Sequence, residues 1–266
     1  MDYPSQTDET VPEMAVVVEP KPWGFWATIG LSLVVVLLFV VIQTVVVIGY
    51  VVAWTVLQTQ PDPQQLAKGA AQVAESAGTS GLCLAVATWS CMPPCVGLVL
   101  LFARFRGGWT VREYLALKPV PLSALLGWLA ILAAWVAAFD GLTWLLGRPI
   151  VPEFMHEAYR TAYWTPLLWA ALVVASPLCE ESLFRGFMMP GILHSRAGVV
   201  GAILIPTVIW TLMHVQYDAY ALSQVFAGGL LLAVARLRTR SLYPSLAMHA
   251  LMNLIATSEA MFEQWL

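Results

Sequence analysis

Ionisable and amide side chains lie inside apolar stretches of the last hundred residues, where they could carry out hydrolysis. Seven residues in three such stretches are concerned: Glu180, Glu181 and Arg185; Trp210 and His214; His249 and Asn253. On the membrane-insertion scale, two glutamates and one arginine at mid-membrane would together cost roughly 8–10 kcal/mol. Such residues must be paired or wetted by a cavity, and their presence indicates function.

The spacing of the two glutamates predicts different roles for them. Glu181 and Arg185 are four residues apart, so they share one face of a helix and can pair. Glu180 lies ~100° away around the helix axis and cannot point in the same direction. One glutamate is therefore neutralised by an arginine, and the other is free to face a different partner.

The other two stretches repeat the four-residue spacing, since Trp210 precedes His214 and His249 precedes Asn253. These residue types suit hydrolysis of an amide by an activated water molecule. A carboxylate in an apolar setting can act as a general base, and a histidine can share the water or protonate the leaving amine. A second histidine and an asparagine amide can donate hydrogen bonds to the developing oxyanion. No serine or cysteine nucleophile is needed.

Composition indicates where this chemistry takes place. Of the 266 residues, 59% are hydrophobic and 11% are charged, and the mean hydropathy is +0.75. An ordinary soluble domain carries about a quarter charged residues, so most soluble classes are excluded. The net charge of −3 argues against a nucleic-acid partner, and four cysteines do not make a disulfide framework. The sequence therefore predicts a polytopic integral membrane protein whose surroundings are the lipid bilayer.

The lengths of the apolar stretches predict an all-α, polytopic transmembrane helix bundle of about seven spans, with eight as the alternative, and an active site within the membrane. A hydrocarbon core of ~30 Å needs ~20 helical residues. The first stretch is too long for an upright helix, so it tilts or protrudes. The stretches are 24–57, 82–104, 122–146, 164–189, 198–215, 219–236 and 243–263.

Basic residues predict the orientation of the bundle. Seven lie in two loops that fall on the same side if the spans alternate: Arg104, Arg106, Arg112 and Lys118; Arg236, Arg238 and Arg240. The positive-inside rule puts that side, and the N-terminus, in the cytoplasm and the C-terminus outside. We expect a multi-pass protein of the cell membrane if the source is prokaryotic. Residues 1–22 are acidic and proline-rich, which is typical of a flexible cytoplasmic tail.

The motifs Glu180-Glu181-x-x-x-Arg185, Trp210-x-x-x-His214 and His249-x-x-x-Asn253 resemble those of the CPBP intramembrane endopeptidases. That family includes the type II CAAX prenyl proteases and the lysostaphin-resistance-A-like proteins. The resemblance implies a catalytic domain of the CAAX prenyl protease 2 type at 164–258, preceded by an N-terminal transmembrane region of about three spans at 23–160.

The resemblance also implies a role for each matching residue. Glu180 would activate the water with His214 beside it, His249 and Asn253 would line the oxyanion hole, and Glu181 and Arg185 would organise the site. The substrate would be a peptide or protein tail, which could be membrane-associated. No cofactor or metal is expected. The family's second motif begins with phenylalanine, where this chain has Trp210, and its members often have eight spans.

Two other functions compete with this one. A zinc metalloprotease could use His214, His249 and a glutamate as ligands, although the sequence contains no H-E-x-x-H helix. A non-catalytic immunity or scaffold protein could retain the cluster for structure.

The depths of Glu180 and His214 in the membrane can be reconciled in two ways. Strict alternation puts Glu180 towards the cytoplasm and His214 at the outer end of its span. Either the fourth span continues to about Leu193, or the fifth is short and sunken.

Overall fold

The structure is a computed structural model that describes residues 20–57 and 62–263. The predicted tail at 1–22 falls almost wholly outside these residues. The described ranges form these helices in chain order: α1 (Phe25–Leu57), α2 (Pro63–Ser76), α3 (Gly81–Phe105), α4 (Val111–Tyr114), α5 (Leu122–Leu145), α6 (Glu153–Arg160), α7 (Thr165–Leu193), α8 (Gly198–Leu212), α9 (Ala219–Thr239) and α10 (Leu242–Glu263).

The predicted helical membrane bundle is confirmed. By length and apolar composition, α1, α3, α5, α7 and α9 could each cross a membrane. Helix α8 is apolar but has only 15 residues, about 22 Å of rise. Helix α10 has 22 residues but a more polar sequence, with Glu259 and Glu263 near its end. The number of spans therefore stays a prediction.

One end of the bundle gathers the start of α1, the segment from α3 to α5, and the turn from α9 to α10. The Nε atom of Arg106 donates to the Lys21 carbonyl at 2.7 Å, and the Trp23 indole donates to the Phe102 carbonyl at 3.0 Å. The backbone N–H of Leu242 donates to the Ala116 carbonyl at 2.9 Å. These contacts hold together three chain segments that are far apart in sequence.

The opposite end gathers the C-terminal end of α10 with α6 and the start of α3. The Tyr159 hydroxyl donates to the Thr257 carbonyl at 2.8 Å, and His156 lies 2.9 Å from the Glu263 carboxylate. The backbone N–H of Gly81 donates to the Thr161 hydroxyl at 2.8 Å. Together the two sets of contacts show that α3 and α10 run in opposite directions and that α1 begins at the end of the bundle where α3 finishes.

Charge is distributed unequally between the two ends. The first end, here called the basic end, carries nine of the chain's 13 lysines and arginines. They are Lys21, Arg104, Arg106, Arg112, Lys118, Arg196, Arg236, Arg238 and Arg240. The other end, here called the distal end, carries Lys68, Arg148 and Arg160, and the remaining cation, Arg185, is buried inside the bundle.

Helix α7 is the central element, and two π-helical turns interrupt it at Ala171–Ala175 and Ser182–Met188. The first turn directly precedes Pro177, which has no backbone N–H to continue the α-helical pattern. The six-residue α-helical segment between the turns, Ser176–Glu181, carries both glutamates. Its position centres Glu180 in the 29 residues of α7, because the helix continues to Leu193.

The C-terminal half of α7 forms the middle of the hydrophobic core. Every residue from Ser182 to Met188 is buried, and this segment contacts α1, α3, α8 and α10. Close approach to α1 depends on Gly191, because a β-carbon there would lie 1.9 Å from the Thr28 hydroxyl. Buried contacts with four other helices therefore fix the position of the helix that carries the glutamates.

The alternation of the helices can be tested with topology reporters. A reporter fused after Arg240 and another fused after Leu266 should report opposite sides of the membrane, because α10 runs from the basic end to the distal end. Paired alkaline phosphatase and fluorescent protein fusions measure this directly. Two reporters on the same side would show that α10 does not cross the bilayer.

Candidate active site

Glu181 lies at the centre of a buried charge cluster. Its Oε1 atom accepts a hydrogen bond from Nη1 of Arg185 at 2.8 Å and lies 3.0 Å from Nδ1 of His249. The side chains of Glu181 and Arg185 are fully buried, and that of His249 is 3% exposed. The predicted pairing of Glu181 with Arg185 is therefore present, and α10 joins it through His249.

Arg185 is also bound from the side of α8 and α9. Its Nη2 atom donates to the Gly229 carbonyl at 3.1 Å, and its guanidinium carbon lies 4.7 Å from the centre of the Trp210 ring. A β-carbon on Gly229 would lie 2.8 Å from the Thr207 side chain, so α9 can approach this closely only with glycine. These contacts bind the buried cation to α8 and α9, and through Glu181 and His249 the cluster joins four helices.

Glu180 points away from this cluster, as the rotation along the helix requires. It accepts hydrogen bonds from the Ser176 hydroxyl at Oε1 and from the Trp210 indole N–H at Oε2. Its side chain is 23% exposed, whereas Glu181 is fully buried. Neighbouring glutamates thus occupy different environments: Glu181 is neutralised by a cation, and Glu180 is held by two neutral donors at the wall of a cavity.

The two ring nitrogens of His249 face different glutamates. Because the Glu181 carboxylate can only accept a hydrogen bond when ionised, Nδ1 of His249 carries a hydrogen. Nε2 then points towards Glu180, whose Oε2 atom lies 3.9 Å away. This orientation leaves Nε2 available to a molecule in the cavity.

His214 follows α8 and is held by its own helix. Its Nδ1 atom lies 2.8 Å from the Trp210 carbonyl, which can only accept, so Nδ1 carries the hydrogen and Nε2 is left with a lone pair. The ring packs edge-on against Trp210, with ring centres 4.9 Å apart, and stacks on Tyr217 at 6.0 Å. Burial raises the pKa of Tyr217 to about 12, so its phenol stays neutral near pH 7.

Asn253 reaches the site from the next turn of α10 after His249. Its Nδ2 atom donates to the Leu172 carbonyl at 2.7 Å, in the π-helical turn of α7. A primary amide has two N–H groups, so one donor remains after this contact. The hydrogen bond fixes α10 against α7 at the level of the cluster.

These side chains border a single cavity of about 430 Å³. Its polar walls include Ser176, Glu180, His214, His249 and Asn253, and its remaining walls are mostly apolar. Glu181 and Arg185 lie behind the wall and do not border the cavity. The arrangement can place a carboxylate, two imidazoles and an amide around one bound molecule.

The structure brings most of the predicted site residues into direct contact. Arg185 and His249 each contact Glu181, and Glu180 is linked to this cluster through Trp210. His214 has no hydrogen bond to either glutamate among the described residues, but it contacts Trp210 and lines the same cavity.

Two contributions to the site escaped the sequence analysis. Ser176 lies four residues before Glu180, so the helical spacing that revealed the Glu181–Arg185 pair could also have revealed it. The motif comparison considers Trp210 only as an aromatic ring in place of phenylalanine. Its indole N–H also donates a hydrogen bond to Glu180.

Among the described residues, no group of three His, Cys, Asp or Glu side chains could hold a metal ion.

Comparison with known proteins supports the resemblance carried by the three motifs. Residues 162–255 match the family described as Type II CAAX prenyl endopeptidase Rce1-like. The match covers 94 of the 266 residues and contains all three motifs. A search of curated proteins and a search of solved structures found no match.

The match confirms the family resemblance for this part of the chain. Together with the apolar helices, it defines an integral, multi-pass membrane protein. The match supports a CAAX-protease-like intramembrane peptidase, and the family implies a peptide or protein substrate.

Substitution of Trp210 by phenylalanine tests the contribution of the indole N–H. The Trp210→Phe variant keeps an aromatic ring against Arg185 and both histidines but loses the donor to Glu180. Because the indole N–H holds the carboxylate that faces the cavity, we expect its loss to lower the rate of hydrolysis about tenfold. Turnover of an internally quenched peptide checks this.

Trp89 provides the matched control. Its indole N–H has no hydrogen-bond partner among the described residues, so Trp89→Phe makes the same chemical change away from Glu180. Its turnover should match that of the parent protein. Unchanged turnover of Trp210→Phe, or an equal fall in both variants, would rule out the proposed contribution.

Proposed function

We propose that this protein is an intramembrane endopeptidase that hydrolyses a peptide bond of a peptide or protein tail with water activated by Glu180. The observation that carries the proposal is the division of labour between the two glutamates. Glu181 is occupied by Arg185 and His249, whereas Glu180 is partly exposed in a cavity and has no lysine or arginine paired to it among the described residues.

The first chemical step uses the carboxylate of Glu180 as the base. A water molecule in the cavity gives one proton to Glu180, and its oxygen attacks the carbonyl carbon of the scissile bond. His214 supports this step, because the lone pair on its Nε2 atom is free to accept a hydrogen bond from the same water. The product of the step is a tetrahedral intermediate with a negatively charged oxygen.

We assign the stabilisation of that oxygen to His249 and Asn253, which both border the cavity. With a hydrogen on Nε2 as well as on Nδ1, His249 can donate from Nε2 into the cavity, as can the N–H of Asn253 that the Leu172 carbonyl does not bind. Collapse of the intermediate breaks the C–N bond, and the leaving amine takes the proton that Glu180 received.

We also propose that the basic end of the bundle lies in the cytoplasm. Nine of the chain's lysines and arginines lie at that end, against three at the distal end. Positively charged loops are retained on the cytoplasmic side of bacterial and other membranes. This orientation puts the N-terminus in the cytoplasm and the end of α10 outside.

The two glutamates can be separated by parallel amide substitutions. Glu180→Gln keeps the size of the side chain but removes the base, so we expect hydrolysis to fall at least ~10²-fold while the protein remains folded. Glu181→Gln leaves Arg185 as a buried unpaired charge, which costs about 3–5 kcal/mol, so stability and activity should both fall. Thermal unfolding in detergent and turnover of an internally quenched peptide measure the two effects.

The outcome that would contradict this assignment is the reverse pattern. Near-parental turnover of Glu180→Gln would remove it from the chemistry. A Glu181→Gln variant that is stable and merely inactive would make Glu181 the base. Glu153→Gln is a suitable control, since Glu153 is exposed at the start of α6, away from the site.

Chelation separates this mechanism from the zinc alternative. In the proposed mechanism the side chains themselves activate water and stabilise the oxyanion, so dialysis against EDTA and 1,10-phenanthroline should leave turnover unchanged. Loss of activity that stoichiometric zinc restores would establish a metalloprotease. The measurement needs only purified protein and the same quenched peptide.

A further inference from the structure

The active-site cavity is elongated along the bundle axis. On α3 its wall runs from Leu84 to Cys95, about 16 Å, and on α7 it runs from Leu172 to Phe184, about 18 Å. An extended peptide rises about 3.3 Å per residue. The cavity is therefore long enough for roughly five residues of extended chain.

The cavity opens at only one end of the bundle, within the described residues. Gly78, Val215 and Gln216 border it and are exposed, and all three lie at the distal end. None of the described basic-end residues 20–24, 105–121 or 239–242 borders it. The core around the second π-helical turn of α7 closes the other end, since Ser182–Met188 is wholly buried.

One polar residue on α1 lies beside this channel. Gln43 lies in the largely apolar helix α1, borders the cavity, and has no side-chain hydrogen bond to any described residue. Polar side chains within membrane helices are costly and mark functional sites. A peptide backbone in an apolar channel needs such partners, because its N–H and C=O groups cannot be left unsatisfied there.

We propose that the substrate enters from the distal end as an extended, mainly apolar peptide segment and that Gln43 binds its backbone. With the basic end in the cytoplasm, the substrate is a segment exposed on the outer side of the membrane, such as the tail of an exported or membrane protein. This inference rests on the proposed function for the reaction itself and on the cavity for the direction of approach.

The side of the membrane that the mouth of the cavity faces can be measured without any assay of hydrolysis. Cysteine is introduced at the mouth by Gln216→Cys and at the basic end by Arg238→Cys, and both variants are treated with a membrane-impermeant maleimide in intact spheroplasts. The parent protein, whose Cys83, Cys91, Cys95 and Cys179 are buried or half-buried, sets the background. We expect Gln216→Cys to be labelled at once and Arg238→Cys only after the membrane is permeabilised.

Labelling of Gln216→Cys only after permeabilisation, or no labelling at all, would overturn the proposed direction of approach. The result does not depend on hydrolysis, so it stands or falls separately from the proposed function.

The role of Gln43 is tested by kinetics. Gln43→Leu removes the hydrogen-bonding amide, so we expect KM for an apolar quenched peptide to rise about tenfold with little change in kcat. Thr44→Val is the matched control, because Thr44 is exposed and its hydroxyl donates to the Val40 carbonyl of the same helix. If Glu180→Gln abolishes hydrolysis but Gln43→Leu leaves KM unchanged, the substrate-binding role is wrong and the proposed function is retained.

Discussion

The site depends on one interaction, the fully buried ion pair between Glu181 and Arg185. Taking two charges out of water costs several kcal/mol per ion, and their attraction compensates only when further partners are present. Here the Gly229 carbonyl and the ring of Trp210 are further partners of Arg185, and His249 is a further partner of Glu181. Helices α7, α8, α9 and α10 are therefore fixed relative to one another at this pair, before any substrate is bound.

The same pair leaves Glu180 free for chemistry. Adjacent residues on a helix differ by ~100° in direction, so the neighbour of a buried, paired glutamate must face elsewhere. A π-helical turn lies on either side of the short α-helical segment Ser176–Glu181, which contains Pro177. Burying one glutamate and partly exposing the next gives two identical side chains different roles.

The sequence was sufficient for features that depend on spacing within one helix. Apolar stretches predicted the helices, and the four-residue interval predicted the Glu181–Arg185 pair. Contacts between helices were not accessible in this way, so neither the hydrogen bond from His249 to Glu181 nor that from Trp210 to Glu180 was foreseen. Of the two ways of resolving the depth of the site, the longer fourth span is present, since α7 extends to Leu193, and α8 is short, since it ends at Leu212 after 15 residues. The cavity escaped the motif analysis because α1 and α3 contribute walls without any recognisable motif.

The central claim is that Glu180, and not its neighbour, supplies the base. Chemical rescue tests this most directly, because a small carboxylate can occupy the space left by a truncated side chain in a water-accessible cavity. The account predicts that formate restores hydrolysis to Glu180→Ala in a concentration-dependent manner and leaves Glu181→Ala inactive. Rescue of Glu181→Ala by formate, with none for Glu180→Ala, would contradict it.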